Sequence, residues 1–309
     1  MNDAPLVKRA DWLDARERGG VLAIRVTVFL TTFFGRTIGR FVALFVTFYF
    51  TLTSPKVRAS IRGFYAHLGP SAIVPTFWQL YRHLLRFVHC TLDAFFFVSG
   101  KLDKFEITCT GNEYLEKLRD EKKGAILLGA HLGSFYAMRG QSANERLKLY
   151  ALVNTKNARM LNDALEKLDP AGAAHLLELD PAGGLDSMLR VKELLEQGAI
   201  VAIMGDRLPE GASGDRIVKA PFLGAEASFP AGPFLLASML KAPVYLTFGL
   251  SRGSNHYDLY CEPFADRIDL PRGDRKGALQ KYVTKYAERL EHYTRQAPDN
   301  WFNFYDFWR

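Results

Sequence analysis

The run Gly124-Ala125-Ile126-Leu127-Leu128-Gly129-Ala130-His131-Leu132-Gly133-Ser134-Phe135-Tyr136 carries an apolar stretch of strand character into a turn of small residues that holds one histidine. A fold presents a catalytic base in this way, because groups at strand ends face open space while their backbone stays fixed. Gly129 and Gly133 strip side-chain bulk from both sides of the imidazole, so a substrate or a backbone segment can come close. Alone, the pattern fits a satisfied structural histidine equally well. Two further strand-end features accompany it. Met204-Gly205-Asp206-Arg207 follows the apolar run Ala199 to Ile203, and Phe222-Leu223-Gly224 through Phe229 to Gly232-Pro233 leads into a helix through a Pro and Gly turn. Arg207 can pair with a phosphate, and the amides near Gly232 at a helix start can receive an anion or oxyanion. The plainer reading of Asp206-Arg207 is a local ion pair at a turn. Ser134 invites a nucleophile reading, but it lacks the Gly-x-Ser-x-Gly elbow and reads better as a turn hydroxyl.

The elements that must position these residues alternate. Phe105 to Thr110 is a predicted strand, Asn112 to Glu121 a helix and Gly124 to Leu128 a buried strand. Helix, strand, helix and strand follow over Phe135 to Asn144, Leu147 to Val153, Ala158 to Leu168 and His175 to Leu179. Gly184 to Gln197 is a helix, Ala199 to Met204 a strand, Pro233 to Leu240 a helix and Pro243 to Leu250 a strand. Such a rhythm predicts an α/β fold with a mixed, largely parallel sheet flanked by helices. No Gly-rich nucleotide fingerprint or phosphate loop is present. Ahead of this part, Lys56 to Leu68 and Thr76 to Val98 read as aromatic-rich helices. The chain accordingly divides into residues 1–100, basic, amphipathic and membrane-associated, and residues 101–309, the α/β domain.

The net charge of +7 is confined to one segment. Between Gly19 and Val98 eight basic residues (Arg25, Arg36, Arg40, Lys56, Arg58, Arg62, Arg82 and Arg86) face one acid, Asp93, and the rest of the chain holds 32 of each sign. The same segment contains the greasiest runs of the chain. A nucleic-acid arm would be basic and polar, so basic plus apolar excludes nucleic acid and points to an anionic lipid surface. On a helical projection Arg18, Arg25, Arg36 and Arg40 share a narrow sector with Thr32, Gly39 and Thr47, which predicts one continuous helix from about Glu17 to Thr51. Its arginines interrupt the apolar run before it reaches the ~20 clean residues of a spanning helix, so an interfacial or steeply tilted helix is expected. Met1 to Gly20 is polar, with Asp3, Asp11, Asp14 and Glu17 preceding the apolar region. That is not the pattern of a cleaved signal peptide, and the expected location is the cytoplasmic face of the inner membrane.

At 309 residues and 48% hydrophobic content the chain can bury a full core. Cys90, Cys109 and Cys261 are scattered and odd in number, and neither they nor the seven histidines show metal-ligand spacing. His83 and His89, six apart on a predicted helix, fall on opposing faces.

With these motifs in view, the sequence resembles the late acyltransferases of lipid A biosynthesis within the glycerolipid acyltransferase superfamily. The resemblance runs over nearly the whole chain: Glu17-Arg18-Gly19, the Gly35-Arg36 to Tyr49-Phe50 segment, His131-Leu132-Gly133-Ser134-Phe135, Gly205-Asp206-Arg207, Phe222-Leu223-Gly224 to Gly232-Pro233, Tyr286 to Glu291, and Pro298-Asp299-Asn300-Trp301-Phe302-Asn303-Phe304. In detail it is most similar to the branch associated with aryl-polyene-type pigment lipids. The resemblance implies transfer of a fatty acyl group from a thioester on acyl carrier protein or CoA to a hydroxyl of a membrane lipid acceptor, with no cofactor. It assigns His131 as general base and makes the fifth residue after it, normally Asp or Glu, the acid that orients the imidazole. Here that residue is Tyr136, and a neutral phenol cannot stabilise an imidazolium as a carboxylate does. Tyr136 accepting the ring N–H bond and Asp206 substituting for the missing carboxylate are the two ways the motif would still work. Gly133, Ser134, Phe229 and Gly232 are expected on the substrate side, and Asp206 and Arg207 join His131 and Tyr136 as the candidate catalytic residues. The reading from another class is a catalytically silent homologue that binds lipid or scaffolds a pigment-lipid pathway.

Overall fold

The computed structural model describes residues 35–69, 74–144, 147–153, 176–178, 185–209 and 211–308. The contacts divide the chain into two interleaved compact units. One comprises Asp93–Asp206 and Gly232–Tyr282, and the other Met1–Leu92, Arg207–Ala231 and Val283–Arg309.

The first unit is built on a seven-stranded sheet. Its strands are β1 (Glu106–Thr110), β2 (Ala125–Gly129), β3 (Leu149–Val153), β4 (Leu176–Glu178), β5 (Ile200–Met204), β8 (Val244–Gly253) and β9 (His256–Ala265), in the order β1-β9-β8-β2-β5-β3-β4. Strands β8, β2, β5, β3 and β4 run parallel. Strand β9 is antiparallel to β8, and β1 is parallel to β9. The sheet is thus mixed and largely parallel, as the alternating rhythm predicts. Helices α4 (Asn112–Asp120), α5 (Phe135–Asn144), α6 (Leu185–Glu196) and α7 (Gly232–Leu240) fall where expected within one or two residues. The expected helix at Ala158 to Leu168 lies outside the described residues. Strands β2 and β5 form the centre because they are apolar on both faces, and all their residues but Met204 are buried.

After β2 the chain turns against β8 rather than into solvent. Gly133 (φ 72°) bridges Gly249 in parallel fashion, and the Ser134 N–H donates to the Gly249 carbonyl at 2.7 Å. A backbone segment is therefore what approaches the histidine turn. Position 249 must remain glycine, since a Cβ there would lie 2.5 Å from the Ser134 oxygen. Gly249→Ala is expected to cost about 1–3 kcal/mol of stability through overpacking, read as a lowered thermal midpoint. An unchanged midpoint would show that the turn does not depend on this contact.

The second unit holds α1 (Arg36–Thr53), α2 (Pro55–Ala66), the first 16 residues of α3 (Phe77–Val98), the antiparallel hairpin of β6 (Ile217–Phe222) and β7 (Ala225–Pro230), and the last part of α8 (Arg275–Gln296). Its core is aromatic. Phe64 stacks on Trp301 at 5.8 Å, and Phe222, Phe229, Tyr286 and Phe307 close around them. His83 belongs to this core. Its Nε2–H donates to the Trp301 carbonyl at 2.7 Å, and burial pushes its pKa down to about 4.

The continuous helix predicted from Glu17 to Thr51 is not formed. Gly35 has φ 86° and ψ 174°, which no helix accommodates, and α1 starts only at Arg36. The rest of that prediction lies outside the described residues. Helix α1 itself is amphipathic in an inverted sense. Its small residues Gly39, Ala43, Thr47 and Thr51 are buried, while Phe41, Phe45, Tyr49 and Leu52 are 53–63% exposed. Trp78 at the start of α3 adds to the patch by packing against Phe48. Among the described residues no single helix is long and apolar enough to cross a membrane, although α1 and α2, bent by 88° at Ser54, pass that test together.

Candidate active site

The parallel pairing of β2 with β5 accounts for the site. Gly129 and Met204 are register partners at the ends of their strands, and the Gly205 N–H donates to the Gly129 carbonyl at 2.9 Å, carrying the pairing one step further. Two residues beyond each partner stand His131 and Asp206. The His131 ring Nδ1 lies 2.9 Å from Asp206 Oδ1, and the His131 backbone N–H donates to Oδ2 at 3.0 Å. One carboxylate thus holds a single residue by both ring and main chain, which fixes the imidazole more firmly than either bond alone.

The carboxylate is fully buried, while the imidazole is 33% exposed. Because an ionised carboxylate only accepts, Nδ1 carries the proton, and Nε2 bears the lone pair. A base needs that arrangement: a buried anion behind, which favours the imidazolium that proton uptake would create, and the accepting nitrogen on the side away from it. The floor of the turn is apolar and tight. A cavity of about 10 Å³, on the scale of one water, lies among Gly129, Ala130, Leu132, Met204, Thr247 and Gly249.

Tyr136 does not fill the orienting position, since Asp206 holds Nδ1. It sits in the first turn of α5, where burial raises its phenol above the ordinary value against an opposing influence from Arg139. The group is therefore neutral at physiological pH. Tyr136→Phe is expected to reduce turnover by less than about fivefold, the worth of one neutral hydrogen bond near 1 kcal/mol, in a steady-state acyl-transfer assay.

The other expected residues separate. The Ser134 hydroxyl accepts the Ala137 N–H at 3.2 Å and is 4% exposed, so it caps α5. The nucleophile reading loses its group, and the turn-hydroxyl reading accounts for it. Gly133 shapes the turn through its positive φ. Gly232 opens α7, is exposed, and has no atom within 4 Å of where a Cβ would stand. Phe229, expected on the substrate side, is 0% exposed in the aromatic core of the other unit, because its place on β7 turns it inward with Phe222 and Phe307. Arg207, also in that unit, is engaged by the C-terminal tail: Nε donates to Asn303 Oδ1 at 2.6 Å, and a terminal nitrogen donates to the Phe302 carbonyl at 2.9 Å. Arg207 thus ties the start of its segment to the C-terminal tail, while the Asp206 carboxylate holds His131. Asn303 stands in the tail motif Pro298 to Phe304 that carries the family resemblance, with no role assigned to it there. Asp206 carries a clearer signal, because it stands two residues past the end of an apolar run as His131 does.

No curated protein matches the chain. The family model for bacterial lipid A biosynthesis acyltransferases matches residues 77–309, a span that begins at α3 and takes in the whole sheet with His131 and Asp206. With three quarters of its length matched and a histidine–carboxylate pair at the sheet's centre, the chain belongs to the bacterial lipid A biosynthesis acyltransferase family.

Proposed function

We propose that the protein is an O-acyltransferase that moves a fatty acyl group from a thioester, on acyl carrier protein or CoA, to a hydroxyl of a lipid or glycolipid at the cytoplasmic face of the inner membrane. The observation that carries this reading is the His131–Asp206 pair. An alcohol has a pKa far above 7, so its attack on a thioester needs a base within hydrogen-bond reach. In the proposed reaction the acceptor oxygen bonds to the thioester carbon as His131 Nε2 takes the hydroxyl proton. The resulting tetrahedral oxyanion collapses, the C–S bond breaks, and the leaving thiolate recovers the proton from the imidazolium. Asp206 stabilises the imidazolium between these events. Oxyanion donors are commonly worth about 3 kcal/mol each, and the open first turn of α7 at Gly232 is the candidate source.

Membrane association is supported by α1. A helix that buries Gly39, Ala43, Thr47 and Thr51 and exposes Phe41, Phe45 and Tyr49 is unfavourable in water and suited to lipid. Tyr136 in place of the family's acid favours a second reading, a catalytically silent lipid-binding or scaffolding homologue. Incubating membranes that contain the protein with acyl carrier protein and CoA thioesters, together with a total lipid extract, separates the two. The enzyme yields a new ester by mass spectrometry, and the silent homologue yields none with either donor.

A further inference from the structure

Helices α1 and α2 together are long and apolar enough to cross a bilayer, yet only α1 has apolar surface to offer one. The apolar side chains of α2 are already used inside the protein. Ile61 packs with Leu80, Leu84 and Val57, and Phe64 stacks on Trp301. What α2 exposes is charged or small, with Lys56, Ala59, Arg62 and Gly63 among it. Helix α1 does the opposite. Phe41, Phe45, Phe48, Tyr49 and Leu52 recur at the three- and four-residue steps of one helix face, and all are exposed. The face continues onto α3, where Trp78 is exposed and its ring lies 6.3 Å from that of Phe48.

Helix α1 is fixed along the protein surface. Its opposite row, Gly39, Ala43, Thr47 and Thr51, is buried over its whole length. The Tyr81 hydroxyl of α3 donates to the Leu44 carbonyl at 3.1 Å, and the Phe48 ring meets those of Phe77 and Tyr81. Lipid can therefore reach one side of α1 only, and it can reach that side along the entire row. From Phe41 to Leu52 the row spans roughly 17 Å at 1.5 Å per residue, too short to cross about 30 Å of hydrocarbon. The end of α1 is also made ready for surroundings poor in water, where unpaired carbonyls are costly. The Ser54 N–H donates to the Phe50 carbonyl, and Arg58 Nη1 donates to those of Thr51 and Leu52 at 2.5 and 2.6 Å. Charge fits the same surface. Residues 35–92 include seven Arg and Lys and no Asp or Glu. Arg82 is exposed one turn beyond Trp78, and Lys56 and Arg62 are exposed just past α1. Cations beside an apolar face match anionic headgroups above hydrocarbon, whereas a second copy of the chain would bring the same cations against them.

We propose that α1 is an in-plane anchor: Phe41, Phe45, Phe48, Tyr49, Leu52 and Trp78 sink into one leaflet of an anionic bilayer, and neither α1 nor α2 crosses it. Lys56, Arg62 and Arg82 meet the lipid phosphates at the rim of that face. The proposal deepens the membrane reading of α1 and does not depend on acyl transfer.

The test labels the full-length protein at one introduced cysteine at a time and reads quenching by lipid nitroxides in vesicles of phosphatidylethanolamine and phosphatidylglycerol. Cys109→Ser removes the exposed native thiol, while Cys90 and Cys261 are buried. An environment-sensitive fluorophore is placed by Phe41→Cys, Phe45→Cys, Tyr49→Cys or Leu52→Cys, all at exposed positions, and by Ala59→Cys as a control on α2. The nitroxide is carried either high on the acyl chain or near its end. An in-plane helix predicts that the four α1 labels are quenched within about twofold of one another, each more by the shallow nitroxide than by the deep one, and the control about fivefold less. A depth that changes steadily from Phe41 to Leu52 would mean end-on insertion, and a control quenched as strongly as the α1 labels would mean that α2 enters too. Either result would overturn the in-plane anchor and leave the membrane reading standing. Labels that quench one another without vesicles and ignore the lipid nitroxides would give the face to a second copy. Labels that respond to neither would overturn both the anchor and the membrane reading of α1. Replacing phosphatidylglycerol with phosphatidylcholine should weaken the quenching, and equal quenching would overturn the anionic part.

Discussion

His131→Ala is expected to leave the protein folded and to slow ester formation by about 100-fold or more, the contribution of a positioned general base. The imidazole is one third exposed, so its removal opens little cavity, and the Asp206 carboxylate keeps the backbone N–H of residue 131. A small loss of stability with a large loss of turnover is the signature expected. The check pairs steady-state rates with a thermal melt of the same preparation. A variant that melts near the native midpoint and still turns over at the native rate would remove His131 from the chemistry.

The second large effect is expected at Asp206. Its two oxygens accept two N–H groups of one residue, and an asparagine amide has only one oxygen for them. If that oxygen keeps the backbone N–H, the amide nitrogen faces the ring. The imidazole then accepts at Nδ1 and moves its proton to Nε2, where a base needs a lone pair. Asp206→Asn is therefore expected to cost on the order of 1,000-fold in turnover through the wrong tautomer and the lost charge. Because it acts through His131, its effect should vanish in the His131→Ala background. A double variant markedly slower than His131→Ala alone would show that Asp206 works by another route.

The sequence made the centre of the site legible because local pattern and tertiary demand agree there. The Ile126-Leu127-Leu128 and Ile200-Val201-Ala202 runs are apolar on both faces, as central parallel strands must be. Helix α5 covers the predicted residues because Ser134 caps it and Phe135 opens it. The hairpin of β6 and β7 was hidden. Its turn uses Leu223 at φ 51° and Gly224 at φ 81°, and a leucine in that region is not a local turn signal. Leu223 is held there from outside, by burial and by the Glu291 carboxylate, which accepts its N–H. Strand β9 alternates buried and less buried residues through Tyr257, Leu259 and Cys261, a period of two that is readable once β8 is extended to its turn at Ser254. Phe229 was misplaced for a different reason: an aromatic beside a Pro and Gly turn looks the same in sequence whether it lines a pocket or fills a core. The Tyr136 assignment followed the family's spacing along the chain, whereas the structure meets the same chemical need across the sheet, from the neighbouring strand.

The central claim is that Asp206, and not the residue at position 136, makes His131 a base. Turnover of purified Asp206→Asn and Tyr136→Phe, measured side by side with one acyl thioester and one lipid extract, tests it most directly. The predicted result is a loss on the order of 1,000-fold for Asp206→Asn and less than about fivefold for Tyr136→Phe. The reverse order, with Tyr136→Phe inactive and Asp206→Asn near native, would contradict it.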